Sequence, residues 1–158
     1  MRNKQKGFSL IELLIVVAII LIIAAIAIPN LLRAKMAANE ASAVGSMRTI
    51  NTSSVEYSTT YGGYPTALAS LGGPAGGTAT SSSAELIDAV LAAGTKSGYT
   101  FSYTTGATDS NGNILAYTLT GIPTSVGTTG QRQFFTDQSG VIRGNATGVA
   151  NINSTPLS

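Results

Sequence analysis

Phe8 to Ile28 reads FSLIELLIVVAIILIIAAIAI, an apolar run broken by one acid, Glu12. As a helix rising about 1.5 Å per residue, this run is about 32 Å long, which matches a bilayer hydrocarbon core of about 30 Å. Arg2, Lys4 and Lys6 precede it with no acidic residue among them. That asymmetry keeps the N-terminus on the cytoplasmic side and sends the rest of the chain across the membrane. A secretory signal peptide also pairs basic residues with an apolar run. Here, however, the run is longer than a signal-peptide core, no A-x-A site closes it, and the residues after Pro29 continue a helical pattern.

An ordinary single-pass anchor leaves Glu12 unexplained. A lone carboxylate costs about 2.5 to 3.5 kcal/mol at mid-membrane and less near an interface. Such a charge calls for a partner, and an amino group created by cutting just before Phe8 would supply one. In a helix Phe8 and Glu12 form an i, i+4 pair on one face. The new amine could meet its own Glu12, or a staggered neighbour's amine could meet it and set axial register between subunits. Breaking a buried pair of this kind costs about 3 to 5 kcal/mol.

The segment Gly7-Phe8-Ser9-Leu10-Ile11-Glu12, after a short basic leader and before an apolar run, resembles the prepilin motif of type IV pilins and type II secretion pseudopilins. The resemblance covers roughly the first third of the chain. It implies that a prepilin peptidase cuts between Gly7 and Phe8, that the new amine of Phe8 is N-methylated, and that Glu12 holds the family's acidic assembly position. It implies storage in the inner membrane as a single-pass protein. It also implies self-polymerisation into a helical filament, an extracellular pilus or a periplasmic pseudopilus, driven by an inner-membrane platform and an ATPase motor. Adhesion is among the downstream properties of such a fibre.

The expected organisation is a leader at 1–7, a membrane and filament-core helix at 8–28, its amphipathic continuation at 29–61, and a globular head at 62–158. Pro29 is either a stop or a kink in a helix that goes on into water, and the resemblance favours the kink. Beyond it the stripe Ala37, Ala41, Val44, Met47, Ile50, Ser54, Tyr57, Tyr61 keeps a spacing of three to four and predicts a face packed on the head. Met47 and the two tyrosines are read as core. Gly45 either permits close packing or bends the helix.

The breakers Gly62-Gly63-Tyr64-Pro65, Gly72-Gly73-Pro74 and Gly76-Gly77 end the helix. Tyr64-Pro65-Thr66 with Leu68 and Leu71 is similar to the loop that follows the long helix in pilins and major pseudopilins. Ser82-x-x-Glu85 has capping-box spacing and predicts a short helix near 84–93 that ends at Gly94. Alternation predicts strands at 99–105, 114–120, 132–136 and 141–143, the last after the turn Asp137-Gln138-Ser139-Gly140. The fold class is therefore α+β: one long N-terminal helix packed on a small antiparallel sheet.

Asp109, Asn111 and Asn113 place oxygens at alternate positions around Gly112, as in part of a calcium loop. The distal acid of an EF-hand is missing, and an Asx/Gly cluster between strands is more simply a hairpin turn. Calcium is the one cofactor the resemblance leaves open, because major pseudopilins often bind it in the head. Three N-x-S/T sequons begin at Asn51, Asn145 and Asn153, and the Ser/Thr-rich 78–83 reads equally well as an O-glycosylated patch or as a flexible loop.

Composition excludes several other functions. The 158 residues include no Cys and no His, and only 10% are charged. Loss of Arg2, Lys4 and Lys6 with the leader leaves six basic against seven acidic side chains, a balance of −1. No basic stripe marks a nucleic-acid site. No nucleophile elbow, phosphate loop or metal cluster marks an enzyme. The absence of Cys agrees with cysteine-free pilins as well as pseudopilins, while the irregular Gly/Thr/Asn-rich 144–158, with no acidic calcium loop, favours a major pilin over a major pseudopilin. A membrane-tethered binding module is the reading from another class, and it makes Glu12 dispensable.

Overall fold

The computed structural model describes residues 7–73 and 76–157. Most of the expected leader, Pro74 of the breaker run and Ser158 lie outside the described residues. Two units are distinguished, divided after Lys35. Helix α1, Leu10–Tyr61, is 52 residues long and contains Pro29.

In the first unit the helix is apolar on every side, and Leu10 to Leu32 show their large side chains to the outside. An 18-residue window has a mean hydropathy of 3.3, so α1 is long and apolar enough to cross a membrane by length and composition. An all-round apolar helix that buries nothing against its own chain needs lipid or another helix as its solvent.

In the second unit α1 is amphipathic. It packs on a six-stranded antiparallel sheet: β1 (Thr95–Lys96), β2 (Tyr99–Thr105), β3 (Tyr117–Pro123), β4 (Gln133–Asp137), β5 (Arg143–Asn145) and β6 (Thr155–Pro156). The strands lie side by side in chain order. The core joins Ala43, Met47, Ile50 and Tyr57 of α1 to Tyr99, Phe101, Tyr117, Leu119 and Phe134 of the sheet. Met47 and Tyr57 are buried and Tyr61 packs partly against them, as the stripe predicts. Gly121 in β3 sits under the helix, where a Cβ would meet the Met47 sulfur and the Phe101 ring at 3.3 Å. Gly45 faces open space instead, with nothing within 4 Å of an added Cβ.

The start of the predicted stripe is displaced. Ala37 and Ala41 are exposed, while Glu40, Ala43, Ser46, Asn51 and Ser53 are buried. Polar residues enter the face because distant groups satisfy them. Asn51 Nδ2 donates to Thr136 Oγ1 at 3.1 Å, and the Tyr117 hydroxyl donates to Asn51 Oδ1 at 3.0 Å. Burial, together with neighbouring Tyr64, pushes the Tyr117 hydroxyl up to about 12, so it remains a protonated donor. The sequon at Asn51 is therefore part of the core. Replacing Asn51 with Ala strands both partners, and the expected cost is about 2 kcal/mol, to be measured as a loss in urea unfolding that Tyr117→Phe does not add to.

The helix predicted near 84–93 shrinks to one turn, α2 (Ala89–Ala92). Its N-cap is Asp88, whose side chain accepts the Leu91 N–H at 2.9 Å. The Ser82-x-x-Glu85 box does not form. Glu85 has φ of +57°, and its carboxylate accepts the Gly77 N–H instead. Leu86 and Ile87 meanwhile give their N–H groups to the Leu71 carbonyl, at the end of a 3-10 turn over Leu68–Leu71. A backbone committed to the preceding loop cannot wind as a helix.

Sheet boundaries also move. The strand predicted from Ile114 starts at Tyr117, because Ile114 gives its carbonyl to the Tyr64 N–H and Leu115 bonds back to Ala107. β4 starts one residue later than predicted, and β5 replaces 141–143 with Arg143–Asn145 after the expected turn, where Gly140 has φ of +74°. The expected four strands are six. The short β1 precedes β2, and β6 orders part of the tail read as irregular.

Candidate functional site

The chemistry singled out in the sequence begins where α1 begins. Ser9 is the last non-helical residue. Its carbonyl accepts the Glu12 N–H at 3.1 Å and the Leu13 N–H at 3.3 Å. Its own N–H donates to Glu12 Oε2 at 2.9 Å. This is half of a capping box, S-x-x-E, in which the carboxylate at the third helical position satisfies the backbone of the cap residue. A negative charge there also complements the positive end of the helix dipole.

Phe8 lies before the cap, 81% exposed, and Gly7 has nothing within 4 Å of an added Cβ. A bond between Gly7 and Phe8 is therefore outside the helix, where an enzyme can bind it as extended chain. The i, i+4 face expected for Phe8 and Glu12 is not formed in this uncut chain. The cap residue leaves helical geometry, so Phe8 is out of helical register. Glu12 instead holds the Ser9 N–H three residues away.

Pro29 lies inside α1. It has no N–H to offer the carbonyl four residues earlier. Beside it the Asn30 side chain donates to the Ile26 carbonyl at 3.0 Å, a side-chain bond on the turn that proline weakens.

Residues 2–28 match the family described as the prokaryotic N-terminal methylation motif. A 40-residue segment, 25% of this chain, is 68% identical to the type IV wide pilus major component PilA4 of Thermus thermophilus. The N-terminal segment is similar to that of a type IV pilin. The match spans 30% of that relative's length.

The matched motif contains Gly7, Phe8 and Glu12 within six adjacent residues, and the helix cap ties the last of these to Ser9. Capping at Ser9 was readable from the same spacing rule applied to Ser82 and Glu85. The other candidate residues belong to the second unit. Asp109 Oδ1 accepts the N–H groups of Asn111 and Asn113 at 2.8 Å, and Oδ2 accepts Asn113 Nδ2 at 2.9 Å. The Asn113 side chain, then the backbone donors, hold this carboxyl below its usual range. Of the three calcium candidates, Asp109 thus spends both carboxylate oxygens on its own turn, and Asn113 spends its amide nitrogen there.

The charged site that composition did not reveal is Glu40 with Arg132. Glu40 is 9% exposed. Its Oε1 accepts the N–H groups of Gln131 and Arg132 at 2.8 and 3.1 Å, and its Oε2 accepts Arg132 Nε at 2.8 Å. This clamp joins the helix to the segment entering β4. Burial alone would raise the Glu40 carboxyl, but the Gln131 N–H and the Arg132 guanidinium and N–H together outweigh it, and the net shift is downward from 4.5. A carboxyl lowered by folding adds stability above its unfolded pKa and loses it as pH falls through the folded value. Melting temperature should therefore fall as pH drops below about 4.5, and Glu40→Gln should flatten part of that slope. Thermal unfolding from pH 7 to pH 3 measures both.

Proposed function

We propose that this chain is a structural subunit of a type IV pilus, of the major-pilin kind, and not an enzyme. The observation that carries this reading is the continuity of the methylation motif, Gly7 to Glu12, with a helix whose apolar surface is left uncovered by its own chain. In this reading the precursor waits in the inner membrane. A prepilin peptidase cuts after Gly7 and methylates the amine of Phe8, and a platform with its ATPase motor passes the subunit into an extracellular filament. Lipid and neighbouring helices are about equally apolar, so hydrophobicity drives little of that exchange. Close packing and the contact of Glu12 with the Phe8 amine of a neighbour set the register.

The likeness to a wide pilus major component favours a pilus. A major pseudopilin of type II secretion shares the same motif and is the second reading. The exposed Asp109 turn, at which calcium would be tested, belongs to that alternative. Intact-mass measurement on protein sheared from native cells, with electron microscopy of the same fraction, separates them. A methylated chain starting at Phe8 in thin surface filaments is the expected result. Correct cleavage without surface filaments means a pseudopilin, and an uncut chain that stays dispersed in membranes means a tethered binding module.

A further inference from the structure

The seven acidic side chains of the sequence divide unevenly between used and unused. Glu12 holds the Ser9 N–H, Glu40 holds Arg132, Glu85 holds the Gly77 N–H, and Asp88 holds Lys96. Asp109 is tied into its own turn and Asp137 accepts the Ser139 N–H. The Glu56 carboxylate alone has no partner among the described residues, and it lies on the exposed face of α1. The cations of the second unit divide in the same way. Lys96 and Arg132 are ion-paired and Arg143 donates to the Ser154 carbonyl, which leaves Arg48 without a partner among the described residues.

Arg48 lines a groove of about 380 Å³ with Ala41, Val44, Arg132, Pro156 and Leu157. Glu40 already neutralises Arg132. Among the described residues, the groove therefore offers one uncompensated positive charge against an apolar wall, a setting for a single carboxylate on a side chain. Partial removal from water strengthens such a pair relative to a fully exposed one. Glu56 cannot fill the groove of its own chain. Eight positions separate it from Arg48, about 12 Å along the helix, whereas intrahelical pairs form at three or four positions.

We propose that in the filament Glu56 of one copy enters this groove on a neighbouring copy and pairs with its Arg48. The inference rests on the polymer reading above. Parallel copies offset by about 12 Å bring the two residues level, and one unpaired acid then meets one unpaired base in every repeat.

Charge reversal tests it in the full chain expressed in its native host. Glu56→Arg and Arg48→Glu should each lower the yield of sheared filaments at least about tenfold, because each sets like charges together. The double variant should return to within about twofold of the parent, since the swapped pair restores attraction. Melting of the detergent-solubilised full chain should be unchanged in all three. The inference is overturned by single variants that assemble normally, by a double variant no better than the worse single, or by rescue of Glu56→Arg through Arg33→Glu or Lys35→Glu instead. A parent chain that makes no filaments overturns the polymer reading and this pair with it. Parental filaments combined with a failed swap overturn the pair alone.

Discussion

A Glu12→Ala subunit should be cut and inserted normally, yet fall at least about a hundredfold in sheared filaments. The carboxylate is one turn into an apolar helix, and cleavage before Phe8 would create an amine on each neighbour. Removing one member of a buried pair leaves the other charge uncompensated, at about 3 to 5 kcal/mol per contact. Loss of the cap at Ser9 adds about 1 kcal/mol, too little to account for such a drop. Glu12→Gln separates the two effects, because its amide oxygen still accepts the Ser9 N–H while the charge is gone. A glutamine variant that assembles like the parent would make capping the whole role of this residue. Quantified yields from sheared and membrane fractions decide it.

In the head the largest loss should follow Phe134→Ala. The ring is fully buried, 5.7 Å from Tyr99, and Arg132 lies 5.5 Å over it. Truncating a buried phenylalanine costs about 3 to 5 kcal/mol, and the cation over the ring contributes about 0.5 to 1 kcal/mol more. Because the same arginine grips Glu40, the cavity also loosens the clamp between helix and sheet. The melting temperature should fall on the order of 10 °C, followed through the tyrosine near-ultraviolet signal. Val55→Ala, on the exposed side of α1, should shift it by less than about 2 °C.

Elements dictated by local chemistry were legible. Leu10 to Tyr61 follows from composition and from the glycines after it, and the processing motif is six adjacent residues. Elements decided by distant partners were not. Nothing local marks Glu40 or Asn51 for burial, since polar residues are mostly exposed. They are buried because Arg132, Thr136 and Tyr117 wait for them 66 to 92 positions away. The capping rule was sound but misplaced. At Ser82 the Leu71 carbonyl captured the backbone that a helix needed, while at Ser9 the Glu12 carboxylate holds the cap N–H. Ile114 to Ala116 alternate like a strand, yet the post-helix loop and Ala107 take their hydrogen bonds first.

The strand order has a kinetic consequence. Each strand pairs with the one before it in the chain, so the sheet closes by local connections, one hairpin after another. The bonds from Asn51 to the sheet and from Glu40 to the segment entering β4 instead span 66 to 92 residues and carry the entropic cost of long closure. The meander can therefore assemble before α1 settles on it, which makes helix docking the late step. Weakening Asn51 should then speed unfolding while leaving the folding rate nearly unchanged.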